Sequence, residues 1–168
     1  MTPEFSRPID TRHLGDRPHR IGATAKECAA LATRFALVAI ERLEAQVTFA
    51  HEGKAILATG RFSAEVVQTC AISGEPLAVR IAEPLTLRFV PARPATVAEE
   101  IELAEEQLDE IEYQGSAFDL GEAVAQSLAL AIDPYAVGPE AARVRAEGLL
   151  GGEVAGPFAV LAGLKTTH

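Results

Sequence analysis

Two runs of alternating apolar and polar residues fill Gly60–Pro91 and meet at Cys70-Ala-Ile-Ser-Gly-Glu-Pro76. A period of two puts apolar side chains on one face and polar ones on the other, the pattern of a half-buried strand. Phe62, Ala64, Val66 and Gln68 share one face, and Arg61, Ser63, Glu65 and Thr69 share the other. After the Ser73-Gly74 corner, Leu77, Val79 and Ile81 alternate with Ala78, Arg80 and Ala82. A β-hairpin is predicted. Glu83-Pro84 interrupts the second run before Leu85, Leu87 and Phe89, and proline there predicts an edge strand or a bulge that bends it.

A hairpin with one apolar face needs a third strand and a cover. Val38–Ala50 supplies the strand, with Ile40, Val47 and Phe49 alternating and Leu43 one step out of phase. His51-Glu52-Gly53-Lys54 is turn chemistry. Two helices can supply the cover. Thr24-x-x-Glu27 is a capping-box pattern ahead of Cys28, Leu31, Ala32 and Phe35, predicting a helix over about Thr24–Ala36. Asp119-Leu-Gly-Glu122 is a second cap, followed by Val124, Leu128 and Ile132 on one face, and Asp133-Pro134 ends that helix.

The fold class expected is α+β: an antiparallel sheet, open or barrel-like, packed with two short helices and flanked by a flexible N-terminal arm and C-terminal tail. The predicted organisation is an arm over 1–22, one domain over 23–135 with an acidic insertion at about 95–117, and a mobile tail over 136–168. A chain of 168 residues suits one domain with a real core. With seven Phe and no Trp, that core is expected to be largely aliphatic.

Three segments outside the core carry candidate binding residues. Arg7, Arg12, Arg17 and Arg20, with His13 and His19, make the arm weakly basic: a flexible terminus or a phosphate-contacting element. Glu99, Glu100, Glu102, Glu105, Glu106, Asp109, Glu110 and Glu112 crowd one stretch, which reads as solvated chain or as a lure for a basic protein. Pro157–Leu164, with Phe158 and Leu161, is an apolar island that docks on its own domain or on a partner.

The net charge of −9 argues against gripping nucleic acid through bulk positive charge. No apolar run approaches the roughly 18–20 residues of a membrane span, and no secretory signal is visible, so the cytoplasm is the expected compartment. Cys28 and Cys70 are too few for a disulfide framework. Cys70-x-x-Ser73 offers one thiol and one hydroxyl, which is not a zinc site. A reactive Cys70 would need a cation or helix N-terminus and a base, for which His51 is the nearest histidine in sequence. No phosphate loop, dinucleotide fingerprint or hydrolase elbow occurs.

Several segments, in order, resemble the YceD family, bacterial proteins named for large ribosomal RNA subunit accumulation. They are Phe5-Ser-Arg-Pro8, Ala30–Phe35, Gly60–Cys70 with Gln68, Gly74-Glu75-Pro76, Phe118-Asp119-Leu120-Gly121-Glu122, Leu128–Leu130, Asp133-Pro134-Tyr135 and Pro157–Ala162. The family commonly has Cys-x-x-Cys at the hairpin corner. Ser73 stands at the second position here, which puts a shared metal or redox role in doubt. The resemblance implies a non-enzymatic factor supporting 23S rRNA in large-subunit assembly, with no cofactor and no catalytic residues. Its expected partners are 23S rRNA or its precursor, directly or through ribosomal or assembly proteins. Two other readings stay open: a thiol-based redox or catalytic protein using Cys70, and a structural adaptor binding a basic protein.

Overall fold

A computed structural model describes residues 3–92 and 110–147. In chain order the elements are β1 (Pro8–Asp10), a single 3-10 turn (Thr11–His13), β2 (His19–Gly22), α1 (Ala25–Arg34), β3 (Ala39–Glu52) and β4 (Ala55–Thr69). These are followed by β5 (Pro76–Pro91), β6 (Glu110–Tyr113), β7 (Ala117–Asp119), α2 (Leu120–Ala131) and α3 (Glu140–Ala146). The fold is α+β. Its main sheet has the order β2-β3-β4-β5-β6 and is not closed into a barrel, and β1 and β7 form a separate two-stranded ribbon.

The alternation of β4 sorts its residues as the sequence suggests. Phe62, Ala64, Val66 and Gln68 are buried, while Arg61 and Thr69 are exposed. The phase slip at Leu43 has a structural cause. Ile40 pairs with Val66 but Arg42 pairs with Glu65, so Glu41 is an extra residue in a β-bulge, and Ile40 and Leu43 both face the core. Pro84 does not bend the strand out of register, because Glu83, Pro84 and Leu85 pair in sequence with Phe62, Arg61 and Gly60. Its edge reading holds: β6 pairs only with Arg88–Pro91, so nothing described asks an N–H of Pro84 on that side.

The sheet is not wholly antiparallel. β6 runs parallel to β5, and parallel neighbours need a long return connection, here residues 92–109. The acidic stretch Glu99–Asp109 falls in that connection and outside the described residues, as do Phe158 and Leu161. Glu110 and Glu112 are described and belong to β6.

Both predicted helices cover the apolar face. α1 begins at the Thr24 cap, where the Thr24 hydroxyl accepts from the Glu27 N–H and the Glu27 carboxylate accepts from the Thr24 N–H. α1 contributes Cys28, Leu31 and Ala32 to the core, and α2 contributes Leu120, Val124, Ala125 and Leu128. The core also holds an aromatic group: Phe118 stacks on Phe89 at 4.0 Å between ring centres and meets Phe49 edge-on at 5.6 Å.

Two segments expected to be loose are tied down. In the N-terminal stretch Phe5 is fully buried, β1 pairs with β7 and β2 pairs with β3, so the arm is extended but forms part of the fold. Beyond Tyr135, residues 136–147 carry a third helix, α3, with Ala141 buried.

Candidate functional site

The motif segments converge into two clusters. The first is a clasp between the N-terminal strand and the start of α2. Asp119 caps α2 by accepting from the Glu122 N–H at 3.1 Å. The same carboxylate accepts from the Arg7 N–H at 2.8 Å and from the Ser6 hydroxyl at 2.5 Å, and the Leu120 N–H donates to the Arg7 carbonyl at 3.0 Å. Gly121 is what allows this approach. A Cβ at that position would lie 2.5 Å from the Phe5 carbonyl oxygen and 2.9 Å from the Arg7 nitrogen. Asp119, Gly121 and Glu122 are therefore assembly residues, each meeting the N-terminal segment or α1, and buried Leu120 belongs to the core.

Two arginine forks extend the clasp to α1. Arg7 donates both ends of its guanidinium to Glu27, at 2.8 and 2.9 Å, and also to the Gly22 carbonyl at 2.9 Å. Arg34, in the last turn of α1, holds Glu122 at 2.8 and 2.9 Å and Glu4 at 3.0 Å. Paired forks of this kind favour the ionised carboxylate. Glu27 is pulled down to about 2, by the Arg7 hydrogen bonds first and the Thr24 N–H second. Glu122 is also lowered, chiefly by Arg34.

The second cluster joins the hairpin corner to the segment after α2. The Gln68 side chain is buried and donates to the Asp133 carbonyl at 2.7 Å, while its Oε1 has no partner among the described residues. The Ala71 N–H donates to the Ala136 carbonyl at 3.1 Å. Cys70 closes the corner: its N–H donates to the Glu75 carbonyl, its carbonyl accepts from Gly74, and its sulfur accepts from the Gly138 N–H at 3.3 Å and the Ser73 N–H at 3.5 Å. These donors pull the thiol down to about 6, Gly138 first and then the Ser73 side chain. Asp133 accepts from the Tyr135 N–H at 2.9 Å and leaves the Tyr135 ring 79% exposed. Glu75 and Pro76 are exposed at the corner, the first supplying its carbonyl and the second starting β5.

This geometry supplies thiolate stabilisation without a base. Among the described residues every hydrogen-bond partner of the Cys70 sulfur is a backbone N–H or Ser73. His51, the histidine considered for that role, pairs with Ile56 at the far end of β4, on the order of 40 Å of strand away from Cys70. Among the described residues no three His, Cys, Asp or Glu side chains group as metal ligands, and no helix is long and apolar enough to cross a membrane.

The basic arm does not survive as one element. Arg7 is spent on Glu27 and Arg12 pairs with Asp10 at 2.7 Å. Arg17 lies in an exposed loop, and Arg20 stands on β2 at the open face of the sheet. The roles of Arg34 and Gly138 were not legible in the sequence, since each acts through a partner 68 or more positions away. For Arg61 and Arg80 a signal did exist, since strand alternation places both on the polar face, whereas Arg42 follows the bulge in β3.

Against known proteins, the family model described as "Large ribosomal RNA subunit accumulation protein YceD" matches residues 58–165. Neither the curated proteins nor the solved structures return a match. The matched span runs from near the start of β4 through both halves of the Cys70 corner and the α2 side of the clasp.

Proposed function

The chain belongs to the YceD family, and from that premise we propose that it is a non-enzymatic factor of large-subunit assembly that sustains the synthesis, processing or accumulation of 23S rRNA. The family match carries this reading. The two motif clusters support it, because their residues hold segments of the chain together: caps, forked ion pairs and backbone hydrogen bonds account for Asp119, Glu122, Gln68 and Cys70. A factor of this kind works by binding, in the compartment where ribosomal subunits are built, and its partner is rRNA or a basic ribosomal or assembly protein.

The test is genetic. Deleting the gene should lower mature 23S rRNA relative to 16S, or raise its precursors, and the intact chain supplied in trans should restore the ratio. An unchanged ratio, together with no 50S precursor co-purifying with the tagged protein, would remove the reading.

A further inference from the structure

The outer face of the main sheet carries an arginine array that neither motif cluster uses. Pairing register places Arg20, Gln46 and Arg61 side by side across β2, β3 and β4. Four residues along the strands, Arg42, Glu65 and Arg80 form a second row across β3, β4 and β5. An even offset keeps both rows on one face, about 13 Å apart. All four arginines are exposed. Thr48, Thr59 and Thr86 make a hydroxyl row beyond the first.

The state of these cations sets them apart. Elsewhere Arg7, Arg34 and Arg143 are held by carboxylates within the fold, and farther along this same face Arg88 is held by Glu52 and Glu110. On the outer face, Arg20 and Arg61 have no ion-pair partner among the described residues, while Arg42 contacts Glu44 at 2.6 Å and Arg80 contacts Glu65 at 2.9 Å. Four arginines against those two glutamates leave this patch net positive on a chain whose net charge is −9.

Shape supports an extended ligand. A groove of about 600 Å³ is lined by Arg20, Arg42, Gln46 and Arg61 among others. It shares Arg42 and Ser63 with a depression of about 260 Å³ that reaches Arg80. It shares Gln46 and Arg61 with another of about 360 Å³ that reaches Thr48 and Thr59. The three follow one another along β3 and β4 as one open furrow, from Thr48 and Thr59 at one end to Arg42, Glu65 and Arg80 at the other. Gly60 lies in it at a point where a Cβ would meet the Gln46 carbonyl oxygen, so the backbones of β3 and β4 approach closely there.

We propose that this furrow binds the phosphate backbone of RNA through Arg20, Arg42, Arg61 and Arg80. The inference rests on the family reading above and assigns it a surface. Guanidinium forks match phosphate oxygens in pairs, and Gln46 and the threonine hydroxyls can serve phosphate or ribose oxygens. No aromatic ring lies on this face among the described residues, so base stacking contributes nothing and binding tolerates sequence changes. Among the described residues the face also carries no large, exposed hydrophobic side chain to anchor a protein interface. The large exposed hydrophobics, Val38, Leu130, Tyr135 and Val137, lie before β3, at the end of α2 and in the segment after it.

The experiment titrates the full chain into labelled single-stranded RNA oligonucleotides of two unrelated sequences across a potassium chloride series. Arg20→Gln/Arg61→Gln and Arg42→Gln/Arg80→Gln are compared with Arg12→Gln/Arg143→Gln, which leaves the face intact. Melting temperature and circular dichroism verify folding, and the single variants Arg20→Gln and Arg61→Gln remove a charge without breaking an ion pair described here. The wild type should bind both sequences alike, and each face variant should bind roughly tenfold more weakly with a salt slope shallower by about 1.4, at about 0.7 per phosphate. The control pair should match the wild type. Absence of wild-type binding at low salt, or equal binding by all variants, overturns the proposal. So does loss of an acidic protein partner in the face variants with RNA affinity unchanged. A chain that restores 23S rRNA in the deletion strain yet holds no RNA defeats the furrow and spares the family reading, whereas normal 23S rRNA in that strain defeats the reading itself.

Discussion

The clasp around Asp119 and the corner around Cys70 each tie together chain segments far apart in sequence, and they do it with opposite chemistry. The clasp uses full charges: one carboxylate accepting from two backbone N–H groups and a hydroxyl, with two arginine forks binding α1 to the N-terminal strand and to α2. The corner uses a thiol, an amide and backbone groups. Charge-assisted hydrogen bonds are roughly twice as strong as neutral ones, and they depend on ionisation. The clasp should therefore carry more of the stability and keep it to lower pH than the corner, whose thiolate is protonated as pH falls through about 6.

The largest effect expected is Phe118→Ala, which empties the aromatic centre beside the clasp and should cost about 3–5 kcal/mol, read by urea denaturation. Cys70→Ser at the corner, measured below pH 6 where the thiol is protonated, should leave the unfolding midpoint close to wild type. A corner substitution matching the loss from Phe118→Ala would invert the ranking. Gly121→Ala comes next, at roughly 1–3 kcal/mol, because the new methyl must push the Phe5–Arg7 backbone away from α2. Asp119→Ala should cost about 1–2 kcal/mol, while Asp119→Asn should recover part of that, since an amide oxygen can still cap the helix.

The smallest effects separate the regions by pH. Glu27 and Glu122 are lowered in the fold, so their stabilisation is complete above the ordinary value of 4.5 and is lost as pH falls below it, for Glu27 toward about 2. Glu27→Gln should flatten the melting temperature over that window. Cys70 is lowered from 9.0 to about 6, so its contribution is complete above 9 and disappears as pH falls through 6. Thiolate absorbance against pH should show a midpoint near 6 for Cys70, and a midpoint at or above 8 would show that the corner donors do not stabilise the anion. The same titration bears on a thiol role, since a reactive Cys70 would need that lowered midpoint.

Much of the architecture was legible in local pattern. Period-two alternation in Gly60–Pro91 placed Phe62, Ala64, Val66 and Gln68 on the buried face, and the capping signals at Thr24 and Asp119 marked where both main helices start. These signals are short-range: side-chain direction in a strand and the unpaired N–H groups of a helix start follow from the nearest residues. The slip at Leu43 was visible too, although its cause, the bulge at Glu41, needed the partner strand.

What the sequence determined by itself is thus the kind of element, its faces and its caps, together with the ordered motifs that mark the family. Only the tertiary structure decided what those motifs do. Asp119 reads as a cap from its own neighbours, but its second role exists because Ser6 and Arg7 come within hydrogen-bond reach, and nothing local encodes that approach. The parallel placement of β6, the capture of the N-terminal stretch and the assembly of Arg20, Arg42, Arg61 and Arg80 on one face have the same origin. Pairing between distant segments is set by collective burial and register, which no single window of sequence contains.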